Sequence, residues 1–157
     1  RHVMDIFQEL KNITARLDAE KVEYALCGGL AMAVYALPRA TLDIDLLMEP
    51  GSIDRAKAIV RELGFTENAL PMALHAGKVI IHRISKADPA TGEVLSLDLL
   101  AVTPEIRPAW ETRTRVEWEG GPLRVVSPDG LILLKSLRKS GQDLDDIRHL
   151  KDISDED

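Results

Sequence analysis

The chain has 157 residues, 45% hydrophobic and 29% charged, with 20 basic and 26 acidic side chains and a net charge of −6. That is enough chain for a sizeable core, and it excludes collagen-like, fully disordered and disulfide-stapled classes. Seven acidic and two basic residues fall between Asp143 and Asp157, so the preceding body is close to neutral, which argues against a broad nucleic-acid-coating surface. Val3, Ile6, Phe7, Leu10, Ile13 and Leu17 recur at helical spacing and predict an amphipathic first helix. Tyr24 to Cys27 reads as a short buried strand stopped by Gly28-Gly29, with a helix starting at the glycines and ending near Pro38. Leu42 to Met48 is a strand. Ile53 to Leu63 is a helix with Gly64 as its end cap. Lys78 to Ile84 and Val94 to Val102 are strands joined by a polar loop containing Asp88-Pro89. Arg115 to Trp118 and Leu123 to Val126 form a hairpin around Glu119-Gly120-Gly121-Pro122. Ser127 caps a helix with Pro128 in its first position, running to about Ser140. Gly141 breaks it, and a last helix covers about Leu144 to Ile153. This order predicts an α/β protein with a small mixed sheet.

The segment Leu26-Cys27-Gly28-Gly29-Leu30-Ala31, followed by Arg39-Ala40-Thr41-Leu42-Asp43-Ile44-Asp45-Leu46, carries the chemistry. Asp43 and Asp45 are two apart in a strand, so both side chains face one side of it. Paired carboxylates repel, and such an arrangement is cheap only beside a cation or in water. Mg²⁺ suits it, since that ion prefers oxygen ligands and keeps waters and substrate phosphates in its shell. Asp98, inside the apolar strand Leu95 to Ala101, would add a third carboxylate if its strand lies beside that of Asp43. Three acids can hold two divalent ions. For Asp98 alone, a strand-end carboxylate capping a loop is the competing reading. Gly28-Gly29 let a phosphate approach the main chain, but the spacing is neither the dinucleotide fingerprint nor the P-loop.

Gly-Gly, thirteen residues, Asp-Ile-Asp and a later Leu-Asp-Leu resemble the DNA polymerase beta-type nucleotidyltransferase superfamily. The Arg39-x-Thr41-x-Asp43-x-Asp45 string is similar to that of small bacterial AbiEii-like members, as are Val126 to Lys135 and Gln142 to Ile147. The resemblance spans about Tyr24 to Leu150. It implies a polymerase-beta-like nucleotidyltransferase fold: a small mixed sheet flanked by helices, in a single domain over 1–157. The catalytic core would cover about 22–126 and the C-terminal helices about 128–153.

By the same resemblance, Asp43, Asp45 and Asp98 would bind two Mg²⁺ ions, with Mn²⁺ as a substitute, and Asp98 is a candidate base toward the acceptor. Gly28, Gly29, Arg39, Thr41, Lys135 and Asp146 would serve the nucleotide, and Arg138 and Lys139 would widen the positive patch around Lys135. Lys135 reads equally as a solvated helix residue, and Asp143, Asp145 and Asp146 as acids favoured at a helix N-terminus. The implied activity moves a nucleoside monophosphate from an NTP to an acceptor hydroxyl, releasing pyrophosphate. The acceptor stays open between tRNA, a protein hydroxyl and a small molecule such as an antibiotic, and the subgroup implies an antitoxin partner. Two other classes compete: a catalytically silent nucleotide-binding or interaction module, and a metal-dependent phosphodiesterase. The lone Cys27, the lack of an apolar signal core in Arg1 to Met4 and the lack of a membrane-length apolar run predict a cytoplasmic location. His75 and His82 have no partners at zinc spacing.

Overall fold

The computed structural model describes residues 5–35, 43–118, 121–137 and 141–155, with the side chains of 141–146 and 155 outside the description. Its elements are α1 (Ile6–Ala19), β1 (Ala25–Cys27), α2 (Gly28–Val34), β2 (Asp43–Met48), α3 (Ile53–Arg61), β3 (Glu67–Asn68), β4 (Met72–Leu74), β5 (Val79–Ala87), β6 (Val94–Ala101), α4 (Arg107–Glu111), β7 (Thr114–Trp118), β8 (Gly121–Val125), α5 (Pro128–Ser136) and α6 (Gly141–Asp155). A short 3-10 turn over Pro50–Ser52 leads into α3.

Local signals set most boundaries. Asp5 caps α1, its carboxylate accepting from the backbone N–H of Phe7 and Gln8. Ser127 caps α5 as the sequence implies, its Oγ accepting from Gly130 N–H at 3.1 Å, with Pro128 in the first turn. Gly64 follows α3 at φ +100°, the left-handed backbone of a helix end. The strands pair in the order β3-β5-β6-β2-β1-β8-β7, with β4 also on β5. Among the described residues five pairings are antiparallel, while β2–β6 and β1–β8 are parallel, so the sheet is mixed but mostly antiparallel.

Three expectations change. β5 runs on through Ser85, Lys86 and Ala87, because the antiparallel ladder to β6 closes only at Ala87–Val94. The two C-terminal helices are separate as expected, but α5 ends at Ser136 rather than near Ser140 and α6 begins at Gly141 rather than near Leu144. The short β3, β4 and α4 lack a periodicity long enough to read in sequence.

The two faces of the sheet differ. Along β5, Lys86 bonds Glu9 of α1 at 2.9 Å, and His82 feels the charges of Lys57 and Asp54 of α3. The even-numbered face of β5 is thus the one covered by α1 and α3. Ile44, Leu46, Leu97 and Leu99 are fully buried, and Leu10, Ile13, Leu17, Ile59 and Val60 join them in one continuous core. The opposite face carries Arg83 and the acids.

His82 has a cost built in. Its Nδ1 is buried without a hydrogen-bond partner among the described residues. Burial first, and then Lys57, lowers its pKa. A histidine held neutral in the folded state binds fewer protons than the unfolded chain does. The stability linked to it is complete above its ordinary value of about 6.5 and is lost as pH falls from there through the lowered folded value. Chemical denaturation at pH 7.5 and 5.5 should therefore show a loss at the lower pH that is smaller in His82→Leu. An equal loss in both proteins would assign the acid sensitivity elsewhere.

Candidate active site

The register of two parallel strands builds the site. β2 and β6 pair with Asp43 opposite Ser96 and Asp45 opposite Asp98. Pleating puts Asp43, Asp45 and Asp98 on one face while Ile44, Leu46, Leu97 and Leu99 point into the core. The three acids line a cleft of about 410 Å³, together with Cys27, Gly28, Arg83 and Lys135. Apart from His75, its other walls are apolar, including Leu74, Ile81, Leu100, Leu131 and Leu134.

Gly28 lies where β1 turns into α2, at φ +69°. Only glycine takes that backbone freely. It also lets Asp45 approach: a Cβ at position 28 would overlap the Asp45 carboxylate, with Cγ 2.8 Å away. Glycine is thus fixed here by backbone angle and by contact with an acid.

Lys135 is buried, at 5% exposure. The solvated-helix reading does not hold for it, because Lys135 lines the acidic cleft together with Leu131 and Leu134 of α5. Cys27 senses the same charges. Burial pushes its thiol pKa well up, Asp45 and Asp98 push it further, and Lys135 opposes them. The thiol is free and protonated, a small packing residue rather than a nucleophile.

Asp98 is 4% exposed and sits mid-strand, not at a strand end. Both of its oxygens are engaged: Arg83 Nε donates to one at 2.8 Å and a terminal nitrogen to the other at 2.9 Å. Arg83 stands directly across the β5–β6 ladder. That hydrogen-bonded acid, together with the nearby Asp43 and Asp45 charges, raises the guanidinium pKa far above its ordinary value. Sequence reasoning missed Arg83. The signal was present, since a hairpin closing at Ala87–Val94 places residue 83 opposite 98 four steps along.

The donor set suits a hard divalent cation. Asp43 and Asp45 offer oxygen ligands side by side. The third acid is in register but held by Arg83, and among the described residues no group of three acidic, histidine or cysteine side chains is arranged to hold a metal ion. The expected three-carboxylate group is therefore aligned but not assembled. Arg39, Thr41, Arg138 and Lys139 lie outside the described residues, as do the side chains of Gln142, Asp143, Asp145 and Asp146.

A family model described as "Nucleotidyltransferase of unknown function (DUF6036)" matches residues 1–155. The chain belongs to this nucleotidyltransferase family. No curated protein matches it in sequence. Solved structures extend the likeness of this nucleotidyltransferase-family chain at the level of fold. TM1012 of Thermotoga maritima, which carries a provisional nucleotidyltransferase assignment, is 16% identical with a TM-score of 0.63, over 100% of this chain and 98% of its own. The lincosamide antibiotic adenylyltransferase LnuA, solved with lincomycin bound, is 17% identical with a TM-score of 0.61, over 96% and 98%. ANT(2")-Ia, solved with adenylyl-2"-tobramycin, is 15% identical with a TM-score of 0.62, over 92% and 87%. The nucleotidyltransferase fold implied by the family resemblance is the fold observed. Among the described residues no helix is long and apolar enough to cross a membrane.

Proposed function

We propose that the chain transfers a nucleoside monophosphate from an NTP to the hydroxyl of a small, partly apolar acceptor, releasing pyrophosphate. The observation that carries this is the register that sets Asp45 beside Asp98, with Asp43 two residues away, on the floor of a cleft flanked by Gly28 and Lys135. In the reaction the acceptor oxygen bonds to the α-phosphorus, the bond from that phosphorus to the pyrophosphate oxygen breaks, and the hydroxyl proton leaves to a base. Asp43 and Asp45 would hold Mg²⁺ or Mn²⁺, with Asp98 as third donor for a two-ion site. The cation, when bound, supplies charge neutralisation on the phosphates. Lys135 adds a point charge toward the triphosphate from α5. The Gly28 backbone keeps side-chain bulk away from Asp45. Gly29, and Arg39, Thr41 and Asp146 by resemblance, would complete nucleotide binding.

The acceptor reading rests on the wall of Leu74, Ile81, Leu100, Leu131 and Leu134. An apolar wall favours a compact amphiphile over a polyanion such as tRNA, whose phosphates want lysine and arginine. LnuA and ANT(2")-Ia, solved with antibiotic compounds, support a small-molecule acceptor of that general kind. The AbiEii-like subgroup, with an antitoxin protein as partner, is the narrower reading, supported by the Arg39-x-Thr41-x-Asp43-x-Asp45 string. The single buried free thiol supports a reducing, cytoplasmic setting.

The test is incubation of the purified chain with each α-³²P-labelled NTP and Mg²⁺, in separate mixtures with hydroxylated small molecules, total tRNA and a protein extract. Label should enter the small-molecule fraction. Release of AMP from ATP with no acceptor present would favour a phosphodiesterase. The Arg83 grip on Asp98 favours a second reading, a nucleotide-binding module without turnover, and no label in any mixture alongside intact NTP binding would support it.

A further inference from the structure

The Arg83–Asp98 pair is unequal. The acid side chain is 6% exposed and the guanidinium 40%, so a buried carboxylate is capped by a cation that opens onto the cleft. Ser96 Oγ lies 3.3 Å from Ser85 Oγ across the same β5–β6 ladder, so the pair sits in a continuous polar stripe across these two strands. A planar guanidinium that grips a carboxylate through two parallel N–H bonds fits a phosphate group by the same geometry. An acid whose two oxygens both accept from arginine has half of its lone-pair sites taken and its charge neutralised, so it holds a cation less well. The paired state and the cation-holding state of Asp98 therefore compete.

We propose that Arg83 is a latch on Asp98 that the triphosphate opens: Arg83 leaves the carboxylate for phosphate oxygens of a nucleoside triphosphate, and Asp98, with its charge released, then becomes a strong ligand for the divalent cation beside Asp43 and Asp45. This rests on the nucleotidyltransferase reading and adds a phosphate-binding, positioning role for Arg83. It couples the two ligands. Triphosphate strengthens cation binding, and by linkage the cation strengthens triphosphate binding to the same degree. The ground state keeps three carboxylates from facing each other uncompensated, since Arg83 neutralises the most buried of them.

The coupling is measurable without turnover. Mn²⁺ binding to the nucleotide-free chain is followed by electron paramagnetic resonance in wild type, Arg83→Gln and Arg83→Lys. Arg83→Gln frees a third negative charge, so its Mn²⁺ dissociation constant should fall at least about tenfold below wild type, because affinity at such sites follows the ligand charge count. Arg83→Lys keeps a cation beside Asp98 and should stay near wild type. Arg83→Gln leaves a buried acid unpaired and is expected to melt lower without Mn²⁺ and recover with it; a brace of purely structural importance would show no such recovery. The reciprocal arm uses tripolyphosphate in EDTA with Asp98→Asn. There Arg83 is released in advance, and affinity should rise several-fold over wild type. Equal Mn²⁺ affinity in wild type and Arg83→Gln, or equal tripolyphosphate affinity in wild type and Asp98→Asn, would overturn the latch while wild-type Mn·ATP binding left the nucleotidyltransferase reading standing. Absence of Mn·ATP binding by the wild type would overturn both.

Discussion

Asp45→Asn lowers nucleotide transfer by more than about a hundredfold, the upper range for losing a partner one shell farther from a metal, and Asp43→Asn does the same. Both acids stand on the exposed side of β2, alternating with the buried Ile44 and Leu46, so neither is part of the core. Asparagine keeps the shape and removes the charge that a divalent cation needs. Asp45 also stands directly opposite Asp98, a like-charge cross-strand pair. Removing one charge of that pair relieves repulsion between the facing strands. The melting temperature should therefore stay within about 4 °C of wild type, what 1 kcal/mol is worth in a domain of this size. Transfer of label and thermal unfolding on the same preparations check the prediction. Near-full activity in either variant would remove the carboxylate pair from the chemistry, and a collapse in stability would make it structural.

The part of this site that was legible in sequence is the part that local rules determine. Alternation alone puts Asp43 and Asp45 on one face, and a polar residue inside an apolar run marks Asp98. Glycine before a helix marks Gly28. Which strands become neighbours is a non-local matter. Nothing in the periodicity of Leu95 to Ala101 states that β6 pairs in parallel with β2 rather than with β1, and the alignment of Asp45 with Asp98 depends on that choice. Arg83 shows the same limit from the other side. In the strand pattern it is one more cation in a half-exposed strand, and its meaning comes from the acid across the ladder. Hairpin register could have exposed it, had the β5 strand been carried through Ala87 instead of ending at Ile84. Lys135 was ambiguous for a related reason: a lysine in a helix reads as solvated until another element is seen to cover it.

Gly28→Ala is expected to remove most transfer activity while Gly64→Ala leaves it, although both substitutions strain the backbone. Position 28 is at φ +69° and position 64 at φ +100°. A side chain in that left-handed region costs about 1–2 kcal/mol at either place, so both variants should melt lower by several degrees. The neighbours decide the difference. At position 64 the new methyl would meet the Lys86 chain, with Cε at 3.1 Å and Cδ at 3.3 Å, and a flexible lysine can give way. At position 28 it would meet Asp45 itself, through Cβ at 3.0 Å, Cγ at 2.8 Å and an overlapping oxygen. The Asp45 Cβ is tied to a strand paired on both sides, with β1 and with β6, so it cannot move without disturbing the ladder. The carboxylate must rotate away instead, and Asp43 and Asp45 would no longer present their oxygens side by side to a cation. Equal transfer by the two variants at matched stability would show that Gly28 serves only the turn. A selective loss in Gly28→Ala, with Mn²⁺ affinity falling alongside it, would tie the first glycine of the motif to the placement of Asp45 rather than to chain reversal.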